Sequence, residues 1–261
     1  MRSLIAVSLL ASLALASPMM DWAKQELQAR NAARRSNRFR ASGDGGFGNI
    51  TADTVESSNW GGSAIVTSGV TEISGTFTVP KPSPPSGGSS RTSYCGAAWV
   101  GIDGYSNSAL IQTGVLWCVQ GSSYEYEAWY EYLPAALIAY SGFSVTAGNS
   151  VTVTVTKTSA TGGTTTISAN GRSASHTFSN QRTQLQGASA EWIVEDFTSG
   201  SSLVPFANFG TVTFTGATAV INGATVQASS DNPVNIVLVS SSGSALTSTS
   251  WSGSSVTVVY E

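Results

Sequence analysis

From Thr54 to the C-terminus, apolar and polar residues alternate in short runs, the pattern of half-buried β-strands. In "EISGTFTV", Ile73, Gly75, Phe77 and Val79 fall on one face, with Glu72, Ser74, Thr76 and Thr78 on the other. "VTVTVT" sets Val151, Val153 and Val155 against threonines, and a turn-like "SATGG" then leads into "TTTIS". "VTFT", "VNIVLV" and "VTVVY" carry the theme to the end of the chain, and helical periodicity is hardly visible after residue 54. Many short strands with Gly, Ser and Asn turns predict an all-β fold, a β-sandwich of jelly-roll or concanavalin-like type. The run "PKPSPPSGGSS" at 80–90 holds half the prolines and reads as a surface loop. The stretch 54–261 is long enough for one large core, so it reads as a single domain.

The N-terminus differs. Arg2, the apolar run "LIAVSLLASLALA" and the small-residue step Ala14-Leu15-Ala16 match a secretory signal peptide over 1–16, too short to span a bilayer. Residues 17–53 carry six of the twelve Lys and Arg and end in the Gly-rich "GDGGFG", which reads as a linker. From Thr54 onward there are five Lys and Arg against eleven Asp and Glu, a net charge of −6. A basic segment ahead of an acidic body reads as a propeptide plugging an acidic cleft. The expectation is a secreted, monomeric protein with no membrane anchor and no nucleic-acid partner.

Candidate chemistry is narrow. The chain has one histidine, His176, two cysteines and no GxSxG, HExxH or DTG-type string. A metal site would lack the usual ligands, and no cofactor is called for. Carboxylates and an amide remain. In "YEYEAWYEYLP", alternation puts Glu125, Glu127, Trp129 and Glu131 on one face and the tyrosines on the other. Trp99, Gly101 and Asp103 share a face of "AWVGIDG", and Leu110, Gln112 and Gly114 share one of "ALIQTG". In "AEWIVEDF", Glu191, Ile193, Glu195 and Phe197 align. Cys95 and Cys118 bracket two of these segments and are expected to pair in an oxidising compartment. On residue types alone, a carboxylate-lined groove could serve a peptidase, a jelly-roll glycoside hydrolase with paired acids, or a non-catalytic carbohydrate-binding module. The Ser-, Thr- and Gly-rich, charge-poor composition suits work in acid, where ionised carboxylates are lost.

Six ordered blocks narrow that choice. "TVESSNWGGSAI", "AAWVGIDG", "ALIQTGV", "YEAWYEYLP", "AEWIVEDF" and "VPFANFG" together resemble the eqolisin family of glutamic peptidases, secreted acid proteinases of filamentous fungi. The resemblance implies two packed antiparallel sheets of seven strands each, a propeptide ending near Thr54 and endopeptidase activity on protein substrates without cofactor, insensitive to pepstatin. It also implies a catalytic pair, Gln112 as oxyanion donor and Glu195 as general base and acid. Cleft residues implied by the match are Trp99, Asp103, Glu127, Trp129 and Glu131, with Phe197 beside them. Leu133 stands before Pro134 where an aromatic is the family habit.

Overall fold

The computed structural model describes residues 40–41, 54–135, 137–196, 198–199, 202–203 and 205–261. The expected signal peptide (1–16) and propeptide (17–53) lie outside these residues, save for Arg40–Ala41. The alternating segments become strands with the faces their periodicity requires. In "EISGTFTV", now part of β4 (Val70–Thr78), Ile73, Gly75 and Phe77 are buried while their neighbours are partly or fully exposed. No α-helix occurs among the described residues.

Two sheets carry the fold. In spatial order the first is β1 (Arg40–Ala41), β2 (Thr54–Ser57), β17 (Val234–Leu238), β3 (Trp60–Val66), β12 (Ser189–Glu195), β5 (Tyr94–Ile102), β6 (Ile111–Gln120), β7 (Ser123–Tyr132) and β8 (Ile138–Ala139). The second is β11 (Arg172–Phe178), β10 (Gly162–Ala169), β9 (Ser150–Ser159), β4, β15 (Thr211–Ile221), β19 (Ser255–Tyr260) and β18 (Thr247–Ser252), with β16 (Ala224–Gln227) beside β15. A two-residue pair, β13 (Thr198–Ser199) and β14 (Ser202–Leu203), stands apart. Seven strands form the body of each sheet; β1 and β8 extend the edges of one by two residues each, and β16 flanks the other.

Pairing is antiparallel with one departure, β17 against β2. The chain reverses between β2 and β3, and β17 enters between them. A strand lodged between two antiparallel neighbours must run parallel to one of them, and β17 is antiparallel to β3.

The core lies between the sheets and includes Trp117, Trp192, Phe77 and Phe214, the last two in edge contact at 5.3 Å. Trp192 of β12 crosses the interface and donates its indole N–H to Ser74 O of β4 at 2.9 Å. Gly75 makes room for it: a Cβ there would sit 3.2 Å from the indole ring. The second sheet's outer face is built of hydroxyls. Ser74 meets Thr154 at 2.9 Å, Thr76 meets Thr152 at 2.7 Å, and Thr164–Thr177 and Thr213–Thr257 each meet at 3.1 Å. Such cross-strand pairs are the elementary stabilising unit of a sheet, each contributing roughly 0.2–1 kcal/mol.

Candidate active site

The central strands of the first sheet, β3, β12, β5, β6 and β7, carry five glutamates and no Lys, Arg or His. Alternation sends Ala98, Val100, Val115, Ala128, Trp192 and Val194 into the core between the sheets. The intervening residues form the opposite face, with its own apolar cluster of Trp60, Ala97, Trp99, Leu110, Leu116, Trp129 and Ile193. All five glutamates fall on that face.

Register arranges the face in rows. Glu191, Gly101, Gln112 and Glu131 are successive cross-strand partners. The next row is Ile193, Trp99, Gly114 and Trp129, and the one beyond is Trp60, Glu195, Ala97, Leu116 and Glu127. Gly114 is forced by the second row, because a Cβ there would run into the Ala98 carbonyl oxygen and hold β6 off β5. A fourth row holds Cys95, Cys118 and Glu125. The two cysteines form the expected disulfide, joining direct partners on β5 and β6.

Glu195 is fully buried, as are Gln112 and Glu191. A carboxylate among apolar side chains demands donors, and Glu195 accepts from two indoles and an amide. Trp60 Nε1 donates to Oε1 at 2.8 Å, Asn59 Nδ2 to the same oxygen at 3.2 Å, and Trp99 Nε1 to Oε2 at 2.9 Å. Trp60 and Trp99 pack edge to face, 5.0 Å between centroids, so each indole steadies the other. Gln112 donates from Nε2 to Oε2 of Glu131, its direct partner on β7. Behind the face, Thr113 donates to Trp129 O at 2.7 Å and meets the Tyr140 hydroxyl at 3.1 Å. Tyr140 in turn donates to Thr165 of the second sheet at 2.9 Å, tying β6 and β7 to the layer beneath.

Trp99, Trp129, Glu127 and Glu131 thus share one surface with Gln112 and Glu195. Asp103 does not follow its expected alternation. Strand β5 ends at Ile102, and Asp103 adopts a left-handed φ of 70°. Its carboxylate turns to another loop, accepting from the backbone N–H groups of Gln186, Gly187 and Ala188 at 2.8, 3.0 and 2.8 Å and from Asn107 Nδ2 at 2.9 Å. Asp103 therefore clamps the approach to β12 instead of lining the cleft. Phe197 lies outside the described residues.

Residue reading had not singled out Asn59, Trp60 or Tyr105. Asn59 and Trp60 stand within the "SSNWGG" string, and the alternation of Trp60 with Gly62 and Ala64 was available as a signal. Tyr105, on the loop that Asp103 and Asn107 brace, packs against the apolar cluster of the site face. Burial, reinforced by the nearby Glu191 carboxylate, pushes its phenol above the ordinary tyrosine range.

Comparison with known proteins bears on what this face does. Residues 58–260 match the Peptidase A4 family. The chain is 40% identical to aspergillopepsin-2 of Aspergillus niger, over 97% of this chain and 96% of that protein. It is 36% identical to scytalidopepsin B of Scytalidium lignicola, over 89% of each. The crystal structure of scytalido-glutamic peptidase with a transition state analog inhibitor superposes with a TM-score of 0.69 at 34% identity, covering 78% of this chain and 98% of that one.

Proposed function

This chain belongs to the Peptidase A4 family, the eqolisin glutamic endopeptidases, and we propose that within it Glu195 is the general base and acid and Gln112 the oxyanion donor. The observation that carries the reading is the buried Glu195 carboxylate, held by two indoles and an amide on the same face as Gln112. A side chain fixed in that way is preorganised for proton transfer at little cost in reorganisation.

Peptide hydrolysis needs an activated water, a stabilised oxyanion and a proton for the leaving amine. Ionised Glu195 takes a proton from water as its oxygen bonds to the scissile carbonyl carbon. The carbonyl oxygen gains the negative charge and accepts from Gln112 Nε2. Glu195 then returns the proton to the amide nitrogen as the C–N bond breaks, which restores the starting carboxylate. One oxyanion donor typically contributes 10²–10³ in rate, about 3–4 kcal/mol. Register sets the two groups on strands either side of β5, Glu195 four residues along β12 from the row of Gln112. The row between them is apolar throughout: Ile193, Trp99, Gly114 and Trp129. It offers an extended substrate apolar walls, with Gly114 leaving the middle of the row open.

Three further readings go with this one. The enzyme is secreted, which the N-terminal leader supports. It resists pepstatin, because its base is a glutamate held by N–H donors and not one of a pair of aspartates sharing a proton. Residues 17–53 restrain the zymogen, since a segment with six basic residues complements a face with five glutamates and no cation among its strands. Family membership removes the carbohydrate alternatives.

The test is hydrolysis of acid-denatured protein by the processed enzyme, with and without pepstatin, beside Glu195→Gln and Gln112→Ala. Peptide release that resists pepstatin and disappears in a folded Glu195→Gln is the expected result. Turnover retained by that variant would refute the assignment of Glu195. A Gln112→Ala defect confined to KM would refute the oxyanion role.

A further inference from the structure

The bond between Gln112 and Glu131 has a chemical consequence for the site. An amide can present either its N–H groups or its carbonyl oxygen to a substrate, and rotation about its last torsion exchanges them. Glu131 decides which. It is Gln112's direct ladder partner on β7, it is almost fully buried, and its Oε2 accepts from Gln112 Nε2. That contact pins the nitrogen, and its second N–H is left as the donor on offer.

We infer that Glu131 is a positioning residue that orients the Gln112 amide as an oxyanion donor and that does so productively as a neutral carboxyl. An ionised Glu131 would hold the amide equally well, but would set a full negative charge one hydrogen bond from the oxygen that must itself become negative. In a low-dielectric site that opposition is costly. A neutral carboxyl still accepts through its carbonyl oxygen and imposes no such charge. Among the described residues, the other ionisable groups of this face are Glu125 and Glu127 on β7, Glu191 and Glu195 on β12, and Tyr105. None of its central strands supplies a cation to offset a second anion. Acid activity then has two sides, with Glu195 ionised and Glu131 neutral, and loss of the Glu131 proton closes the window on the alkaline side.

This inference rests on the oxyanion role of Gln112, and the experiment separates the two. Steady-state kcat and KM on a peptide substrate are measured across the acid-to-neutral range for wild type, Glu131→Ala, Glu131→Gln, Gln112→Ala and the double variant Glu131→Ala/Gln112→Ala. Folding of each is checked by unfolding temperature. Glu131→Ala is expected to lower kcat about 10- to 100-fold with KM little changed. Glu131→Gln, whose amide oxygen still accepts from Gln112 and never ionises, is expected to recover most of kcat and to extend activity toward neutral pH. In the Gln112→Ala background, Glu131→Ala should cost almost nothing further. Additive losses, an unmoved alkaline limb in Glu131→Gln, or failure of Glu131→Gln to recover kcat would each overturn the inference. Full activity in Gln112→Ala would sink the dyad itself.

Discussion

Trp99 and Glu195 meet diagonally across the β5–β12 ladder: Trp99 pairs with Ile193 and Glu195 with Ala97, yet the indole N–H reaches Oε2 at 2.9 Å. Trp60 approaches the other oxygen from the opposite strand neighbour, β3. The Glu195 carboxylate is thus gripped from both sides by rings too large and too well packed to swing.

Replacing Trp99 with Phe keeps most of the packing and deletes the donor. A charge-assisted hydrogen bond of this kind contributes about 1.5–3 kcal/mol. The expected outcome is a fall of roughly 10- to 100-fold in kcat at nearly constant KM, read from initial rates in acid. An unchanged kcat would show that the orientation of Glu195 does not depend on this indole.

Asp103 offers a stability test. Asp103→Ala strands the backbone N–H groups of Gln186, Gly187 and Ala188 together with Asn107 Nδ2. Each orphaned buried donor costs about 1–3 kcal/mol, so a loss on the order of 2–5 kcal/mol is expected after water satisfies the less buried ones. Urea denaturation at fixed pH measures it, and a shift below about 1 kcal/mol would contradict the clamp.

The disulfide closes a loop with a sequence separation of 23 between Cys95 and Cys118. In the chain-entropy account a loop of this size contributes about 3 kcal/mol by restricting the unfolded chain. The double variant Cys95→Ala/Cys118→Ala should unfold at correspondingly lower urea, with the folded enzyme still active because neither sulfur takes part in proton transfer.

His176 stacks on Tyr130 at 4.2 Å with the rings 11° apart, and Phe178 meets it edge-on at 4.6 Å. Burial lowers its pKa below the usual value. The unfolded chain therefore takes up the imidazole proton first as pH falls, and stability drops from about pH 6.5 down to the depressed folded value, below which the loss is complete. His176→Phe retains the stack and removes the titration. Its urea midpoint should change less than that of wild type between about pH 7.5 and 5, roughly the span over which an ordinary histidine titrates. Equal slopes in the two proteins would exclude the effect.

Period-two alternation made the strands and their faces legible before any coordinates. "YEYEAWYEY" became β7 with Glu125, Glu127, Trp129 and Glu131 on the site face, and Ala128 and Tyr132 in the core. Alternation is a local property, however, and says nothing of which strands lie side by side. That β12 enters between β3 and β5, bringing Glu195 to Trp60 across 135 residues, is decided by long-range pairing. The same limit hid β17 between β2 and β3. Asp103 was misplaced for a different reason. Alternation was carried one residue past the end of β5, into a turn where the backbone is left-handed and the side chain no longer follows the pleat. The proposed roles of Gln112 and Glu195, by contrast, rest on the family blocks, because alternation alone does not distinguish a peptidase cleft from a sugar-binding groove.

The hydroxyl pairs on the outer face of the second sheet lead to one more consequence. A bond between two alcohols keeps its strength from strong acid to neutrality, since neither partner gains or loses a proton in that range. Ser74–Thr154, Thr76–Thr152, Thr164–Thr177 and Thr213–Thr257 are all of this type. Along these pairs the backing sheet is fastened by contacts to which acidity is invisible, and His176 on β11 is where that same sheet still feels the medium.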